Sequence, residues 1–541
     1  MKGESRMPRH HILLLPVPLA LILLFPTPSV AQRSCENLRG LSLSDTTIVS
    51  AKSVPAGPFI VPSSDPQQPA RSMQLPAFCR VSGMIKSTAD SDIKFELWMP
   101  RDNWNGKFDG VGNGGFAGSI SYSGLIGALR AGFATASTDT GHEASGIDAR
   151  WALHHPDRIV DFGYRAIHLT NVTGKALVAA FYGSSSRYSY FSSCSNGGRQ
   201  ALMEAQRFPE DYDGIIAGAP ANFWTHLLTE AIWDLQATLK NPASYIPASK
   251  LQAIHDAVLA ACDAQDGVKD GILNNPRQCQ FRPESLLCGG AETDACLTSP
   301  QIVALKKLYS GSVDGNGRLI FPGHMPGGEL GPNGWSPWIT GSAPQTSLEF
   351  DFGTHFFEDM VFNNPAWNFR SSDIDADAQI ADHKLASIFN STNPNLRAFQ
   401  ARGGKLILYH GWSDSAISPL NTINYYNSVL TAMGRQQAES FIRLYMVPGM
   451  QHCSDGPGPD SFGALAALNA DPSHSIFSSL EQWVEKGVPP GTIIATKYAT
   501  ASGSPPVVEM TRPLCPYPEV AQYKGTGDIH EAASFVCSAK Q

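Results

Sequence analysis

The chain has 541 residues, 42% hydrophobic and 16% charged, a balance that suits a globular protein with a substantial core and excludes a disordered or fibrous chain. Its formal net charge of -8 offers no basic stripe, so nucleic acid is not an expected partner. Length alone allows one large domain carrying an insertion, or two to three domains.

The N-terminus carries Lys2, Arg6 and Arg9, then an apolar run from Ile12 to Phe25, then Pro26, Pro28, Ser29 and Ala31. A basic segment, an apolar segment and a small-x-small pattern predict an export leader over residues 1–31, removed before Gln32. The run is too short and too proline-interrupted for a membrane anchor, and no cysteine at the cleavage point offers a lipid site. The mature protein is therefore expected in the periplasm or outside the cell, free of the membrane. Ten cysteines in an exported chain read as disulfides, because no Cys-x-x-Cys and no metal-spaced histidines accompany them. Local spacing suggests Cys262–Cys279, Cys288–Cys296 and Cys515–Cys537, and a bridge between Cys35 and Cys79 is also expected.

Further along, "IKFELWMP" from Ile93 alternates with period two, as a strand does. "LIGALRA" reads as helix, "GFATASTDT" as strand, and "GYRAIHLTNVTGKALVAAFYG" (163–183) as helix ending at a glycine. Then come "YSYFSSC" as strand, "GGRQALMEAQRFP" as helix and "YDGIIAGAP" as strand. The rhythm resumes with "GGKLILYHGWSD", a helix in "SPLNTINYYNSVLTAMG", and a strand in "FIRLYMVPGMQHC". Such alternation predicts an α/β fold, a mostly parallel sheet flanked by helices. The text from 222 to 401 lacks this rhythm and is rich in Trp, Phe, Asn and Pro; it reads as a lid inserted into a catalytic domain formed by 32–221 and 402–541.

Between the strand and helix of "YFSSCSNGGRQAL", Ser193, Ser195 and Gly197 form Ser-x-Ser-x-Gly. A hydrolase nucleophile sits on such a strand-to-helix turn, with small residues two before and two after it; here serine stands where the first glycine is usual. Asp414 follows one later strand and His452 the next, giving the order Ser…Asp…His of α/β-hydrolases. His452 is then the base for Ser195, with Asp414 orienting it. His410 reads as part of the strand end, Asp455 as too close to His452 to occupy a separate strand end, and His142 as a candidate lining residue. Oxyanion donors are expected from the backbone N–H groups of Asn196, which follows the nucleophile, and of Gly112 in the loop "DGVGNGGFAG". Cys194 precedes the nucleophile and Cys453 follows the base. Were they paired, Ser195 and His452 would lie within roughly 13 Å between Cα atoms.

The segments "CSNGGRQ", "FPEDYDGIIAGAPA", "LYHGWSD", "VPGMQHC" and "RPLCPYP", in this order over nearly the whole mature chain, resemble the tannase and feruloyl esterase family. The resemblance implies an α/β-hydrolase fold with a large lid, carboxylic ester hydrolysis, a Ser195–Asp414–His452 triad and a Cys194–Cys453 bridge. In the lid, "CDAQDGVKDGIL" gathers Asp263, Asp266 and Asp270 in a short turn with two glycines. Its spacing is not that of an EF-hand, and the residues alone leave a solvated acidic turn and a cation site equally open. The resemblance implies calcium there, held by the three carboxylates and the carbonyls of Val268 and Ile272, and no organic cofactor.

The expected substrate is a small aromatic ester, such as a feruloyl or galloyl ester. Trp224, Trp233, Phe356, Phe357, Trp367 and Phe369 are candidates to stack on the acyl ring, or else form the lid's own core. The family also contains a hydrolase of terephthalate monoesters that uses a lid arginine; Arg370 lies nearby in a stretch that matches it poorly. A serine peptidase and an inactive binding protein on the same fold are the alternatives from other classes. Nothing in the sequence fixes the oligomeric state.

Overall fold

The computed structural model describes residues 1, 3, 33–62, 71–466, 471–499 and 506–539. Apart from residues 1 and 3, the expected leader lies outside them.

The runs rich in β-branched and aromatic residues become nine strands of one sheet: β1 (Thr46–Val54), β2 (Phe78–Ile85), β3 (Ile93–Pro100), β4 (Lys107–Val111), β5 (Ala134–Thr138), β6 (Tyr188–Cys194), β7 (Gly214–Gly218), β8 (Lys405–Gly411) and β9 (Ile442–Val447). Their order is β1-β2-β3-β5-β4-β6-β7-β8-β9. From β5 to β9 every pairing is parallel. The first three strands pair antiparallel with one another, and β3 with β5, which makes the sheet mixed. The sequence rhythm foretold the parallel part, where each strand is followed by a crossover helix.

Alternate residues of each central strand feed opposite faces. Phe191, Ile215, Leu406, Leu408 and Leu444 join one core with helices α2 (Ala166–Tyr182), α3 (Asn196–Arg207) and α5 (Pro419–Met433). Tyr190, Ile216, Ile407 and Tyr445 join the other, with α1 (Tyr122–Arg130) and α6 (Ile476–Lys486). The alternation of β3 also separates two faces, and both are buried. Glu96 is held on the second by Arg80 Nε (2.9 Å), Trp98 Nε1 (2.7 Å) and the Tyr122 hydroxyl (2.9 Å). The helix expected over 163–183 runs as α2 from Ala166, behind a wider π turn at Asp161–Arg165. Gly163 in that turn packs so closely on Ile388 that a Cβ would clash. Gly183 caps α2 in the left-handed region at φ 73°.

Between β7 and β8 the chain leaves the large sheet. It forms α4 (Trp224–Leu239), the helices Leu251–Cys262, Ser299–Ser310, Leu348–His355 and Ile374–Phe389, and a two-stranded ribbon at Ser312–Val313 and Leu319–Phe321. Trp224, Phe356 and Phe389 of this insert share a core with Phe116 and Trp151 of the strand-end loops, so the insert sits over the C-terminal ends of the parallel strands. After α6, two more ribbons form, Ile493–Tyr498 with Val508–Leu514 and Val520–Tyr523 with Phe535–Ser538. The cysteines pair as Cys35–Cys79, Cys194–Cys453, Cys262–Cys279, Cys288–Cys296 and Cys515–Cys537. Among the described residues no helix is long and apolar enough to cross a membrane.

Candidate active site

Ser195 stands at the junction of β6 and α3 with φ 67° and ψ −128°, a strained conformation for a residue with a side chain. Its backbone is tied down on both sides: Ser195 N–H donates to Gly218 O (3.0 Å), and Ser195 O accepts from Arg199 N (3.1 Å) and Ala221 N (3.2 Å). The small residues around it are needed for space. A Cβ on Gly197 would collide with Ser193 Oγ, and one on Gly198 with Gly218 O. A Cβ on Gly112 would lie 2.6 Å from Ser193 Oγ. Serine can therefore replace the customary glycine at 193 because Gly112 and Gly197 leave room for its hydroxymethyl group.

His452 Nε2 lies 2.9 Å from Ser195 Oγ, and His452 Nδ1 lies 2.8 Å from Asp414 Oδ2. Asp414 Oδ1 accepts from the backbone N–H groups of Ala416 (2.8 Å) and Ile417 (2.9 Å). Behind it, His410 Nε2 is 3.1 Å from Oδ2, and His410 Nδ1 is 2.7 Å from the Thr422 hydroxyl. Burial alone would raise the Asp414 pKa; the His452 charge and the hydrogen bonds from both histidines outweigh it and hold the carboxyl well below the usual range. An ionised Asp414 only accepts, so Nδ1 of His452 carries the proton toward it and Nε2 presents a lone pair to Ser195 Oγ–H. His410, read as a strand-end residue, thus braces the Asp414 carboxylate.

His142 is elsewhere: its Nε2 meets Phe116 O at 2.8 Å and its ring stacks on Trp151 at 3.7 Å. Burial pushes its pKa down to about 4. Asp455 accepts from Asn333 Nδ2 at 2.9 Å and is not part of the Ser–His–Asp relay.

A cavity opens beside Ser195, Asn196 and His452. Gly115, from the glycine-rich loop, lines it together with them, whereas Gly112 packs under Ser193. Of the six lid aromatics singled out in the sequence, Trp224 alone lines this cavity; Phe356, Phe357 and Phe369 are buried in the insert's core, and Trp367 stacks on Phe357 at 5.1 Å. Trp233 lies under Lys307. Trp338 and Phe352 take their place: both line the cavity, and Trp338 meets the His452 ring edge to face at 5.1 Å. Their positions in an irregular insert carried no pattern that sequence reading could use. Arg370 is exposed beside Phe369 and lies outside the cavity lining. Another residue the sequence did not flag is Arg199. It is fully buried, donates to Asn196 Oδ1 (2.8 Å) and Gly163 O (2.7 Å), and faces the rings of Phe162 and Trp224 at 5.0 and 5.1 Å.

The acidic turn is a separate site. Asp263 Oδ1 accepts from Gly271 N (3.2 Å), Asp266 Oδ1 from Val268 N (3.0 Å) and Asp270 Oδ1 from Ile272 N (3.1 Å). Burial, with the charges of Asp270 and Asp263 adding to it, pushes Asp266 up to about 6. Arg512, itself buried, reaches Asp270 Oδ2 at 2.6 Å. Oxygen donors of this kind are those a hard cation takes, but among the described residues the three carboxylates do not bring their oxygens within 4.8 Å of one another, and Asp270 is already engaged by Arg512. The Cys262–Cys279 bridge, with Cα atoms 5.2 Å apart, spans the turn.

The family model for tannase and feruloyl esterase matches residues 79–538. An uncharacterized esterase of Xanthomonas campestris pv. campestris is 42% identical over 536 residues, covering 94% of this chain and 92% of that protein. A probable feruloyl esterase B-2 of Neosartorya fischeri is 34% identical over 466 residues, covering 85% and 86%. Among solved structures, feruloyl esterase B of Aspergillus oryzae superposes with a TM-score of 0.84 at 30% identity, covering 93% of this chain and 99% of that one.

Proposed function

The chain belongs to the tannase and feruloyl esterase family and is a carboxylic ester hydrolase; from that premise we propose that it cleaves esters of phenolic acids through an acyl-enzyme on Ser195. The observation that carries this reading is the unbroken Ser195–His452–Asp414 hydrogen-bond chain at the mouth of an aromatic-walled cavity.

In this reading, His452 Nε2 takes the proton from Ser195 as Oγ attacks the ester carbonyl. The carbonyl π electrons move to oxygen, and the resulting oxyanion faces the N-terminus of α3, where the Asn196 N–H is the first donor. The second N–H comes from the glycine-rich loop, with Gly112 and the cavity-lining Gly115 as its candidates. Collapse breaks the C–O bond, and the departing alcohol takes the proton from His452. Water then attacks the acyl-enzyme with His452 again as base, releasing the acid and restoring Ser195. Asp414 stays ionised throughout and stabilises the imidazolium.

Asp263, Asp266 and Asp270, with the carbonyls of Val268 and Ile272, are the residues that would hold a calcium ion. Bound there, it would neutralise the turn and brace the insert without entering the reaction. The predicted leader and the five disulfides support a life outside the cytoplasm, secreted or periplasmic.

The test is a substrate panel: methyl ferulate, methyl gallate, a terephthalate monoester and a peptide amide. Preferential turnover of the first two supports the reading, and preferential turnover of either other substrate refutes it.

A further inference from the structure

Arg199 lies one helical turn beyond Ser195, and its backbone N–H donates to Ser195 O at 3.1 Å. The side chain is 0% exposed, and among the described residues no carboxylate pairs with it. Burial pushes its pKa down to about 9, which leaves it charged at neutral pH. A buried charge without a counter-charge is costly, so its surroundings have to compensate. Carbonyl oxygens do part of this: Nη1 donates to Gly163 O at 2.7 Å and Nη2 to Phe162 O at 3.2 Å, both in the π turn. Ring faces do the rest, from Phe162 at 5.0 Å, Trp224 at 5.1 Å and Phe389 at 5.8 Å. These partners solvate the charge without cancelling it.

The remaining donor, Nε, serves the nucleophile turn. It donates to Asn196 Oδ1 at 2.8 Å, while Asn196 Nδ2 has no partner among the described residues. Arg199 is thus the group that fixes the side chain of Asn196, the residue whose backbone N–H is the first oxyanion donor. From Nε through Oδ1 to that N–H is at most about 8 Å. Trp224, against whose face the guanidinium lies, also lines the cavity, so the charge stands behind one of its walls. At that range, away from water, an uncompensated cation favours a developing oxyanion over a neutral carbonyl.

We infer that Arg199 is a positioning residue for the oxyanion: it holds Asn196 at the start of α3 and adds an unneutralised positive charge behind the tetrahedral intermediate. Arg199 itself lies outside the cavity lining, so it acts through Asn196 and through its field. This rests on the acyl-enzyme reading above and extends it to a residue beyond the triad.

The experiment measures kcat and KM on 4-nitrophenyl acetate for the wild type, Arg199→Met, Arg199→Lys and Asn196→Ala, each below its melting temperature. Two inhibitors with the same ring are compared on all four. Phenylboronic acid accepts Ser195 Oγ at boron while His452 takes the hydroxyl proton, which makes a tetrahedral anion. Benzamide stays neutral and planar. Arg199→Met is expected to lower kcat roughly ten- to a hundredfold with KM changed less than about twofold. Its affinity for phenylboronic acid should fall by a similar factor, and its affinity for benzamide should hold. Arg199→Lys, which keeps the charge and loses the fork, should recover part of both losses. Asn196→Ala should show a smaller loss of the same kind, and combining it with Arg199→Met should cost less than the sum. Should Arg199→Met fail to fold, Arg199→Lys and Asn196→Ala carry the same comparison against the wild type. Equal weakening of both inhibitors would show that Arg199 only shapes the cavity, and unchanged kcat in folded variants would show no role at all. Either result overturns the inference and leaves the acyl-enzyme reading standing. Retained turnover in Ser195→Ala, by contrast, removes that reading itself.

Discussion

Cys194 and Cys453 are bonded to each other across a sequence separation of 259 residues, their Cα atoms 6.0 Å apart. One immediately precedes Ser195 and the other immediately follows His452, so the bridge ties the turn after β6 to the loop after β9. Replacing both by alanine is expected to cost about 2–5 kcal/mol of stability by loss of a long-loop crosslink. kcat should also fall, because the Ser195–His452 contact loses its strap. Denaturant unfolding and kinetics on the double variant check this; wild-type values of both would show that the bridge is dispensable.

Ser195→Ala is expected to remove hydrolysis of methyl ferulate and methyl gallate by at least about 10³-fold while circular dichroism and melting stay close to wild type. Substantial residual turnover on these esters would sink the acyl-enzyme mechanism.

The crowding at the nucleophile turn predicts a rescue. Gly197→Ala places a methyl group against Ser193 Oγ and should destabilise the turn by about 1–3 kcal/mol, with reduced kcat. Adding Ser193→Gly removes the obstructing atom and should return much of the loss. A double variant no better than the single one would show that the clash lies elsewhere.

Asp414 has a folded-state pKa depressed below its unfolded value, through its buried bonds to His452 and His410. Such a group contributes stability that is fully present above the unfolded pKa of about 3.9 and fades as pH falls through the folded pKa. Asp414→Asn should therefore melt below the wild type at neutral pH, with the gap narrowing below about pH 4. Its kcat should drop on the order of 10⁴-fold, because asparagine stabilises the wrong imidazole tautomer. A melting gap that does not change with pH would refute the assignment.

If calcium occupies the Asp263–Asp266–Asp270 turn, chelation should lower the melting temperature, and calcium at about a hundredfold excess over its Kd should restore about 2.7 kcal/mol. Asp266→Asn should lose most of that response. A melting curve indifferent to chelator and calcium would remove the metal from this turn.

Much of the catalytic arrangement was legible in the chain because it depends on short-range chemistry. A nucleophile elbow must place small residues within two positions of its serine, and "SSCSNGG" does so. An acid and a base must follow strands, and "LYHGWSD" and "VPGMQHC" place them there. The parallel strands were legible for a similar reason, since strand and crossover helix alternate along the chain. The antiparallel start of the sheet was not, because pairing direction depends on which strands become neighbours. Nor was the identity of the cavity aromatics. Trp338 and Phe352 sit in irregular turns and short helices whose side-chain directions follow no period, while Phe356 and Phe357, equally apolar in sequence, point into the insert's core.

The sequence by itself determined the hydrolase family, the chain order of Ser195, Asp414 and His452, and the cysteines beside the first and last of them, because each is written in contiguous motifs whose spacing the local backbone enforces. Only the tertiary structure decided what those residues meet. It set His410 behind Asp414, gave Gly112 the task of making room for Ser193, and brought Arg512 from the C-terminal ribbon onto Asp270. It also enclosed Arg199 between Phe162 of the π turn and Trp224 of the insert. Contacts between distant segments are set by how apolar surfaces pack, and packing leaves no local signature at the polar residues it brings together.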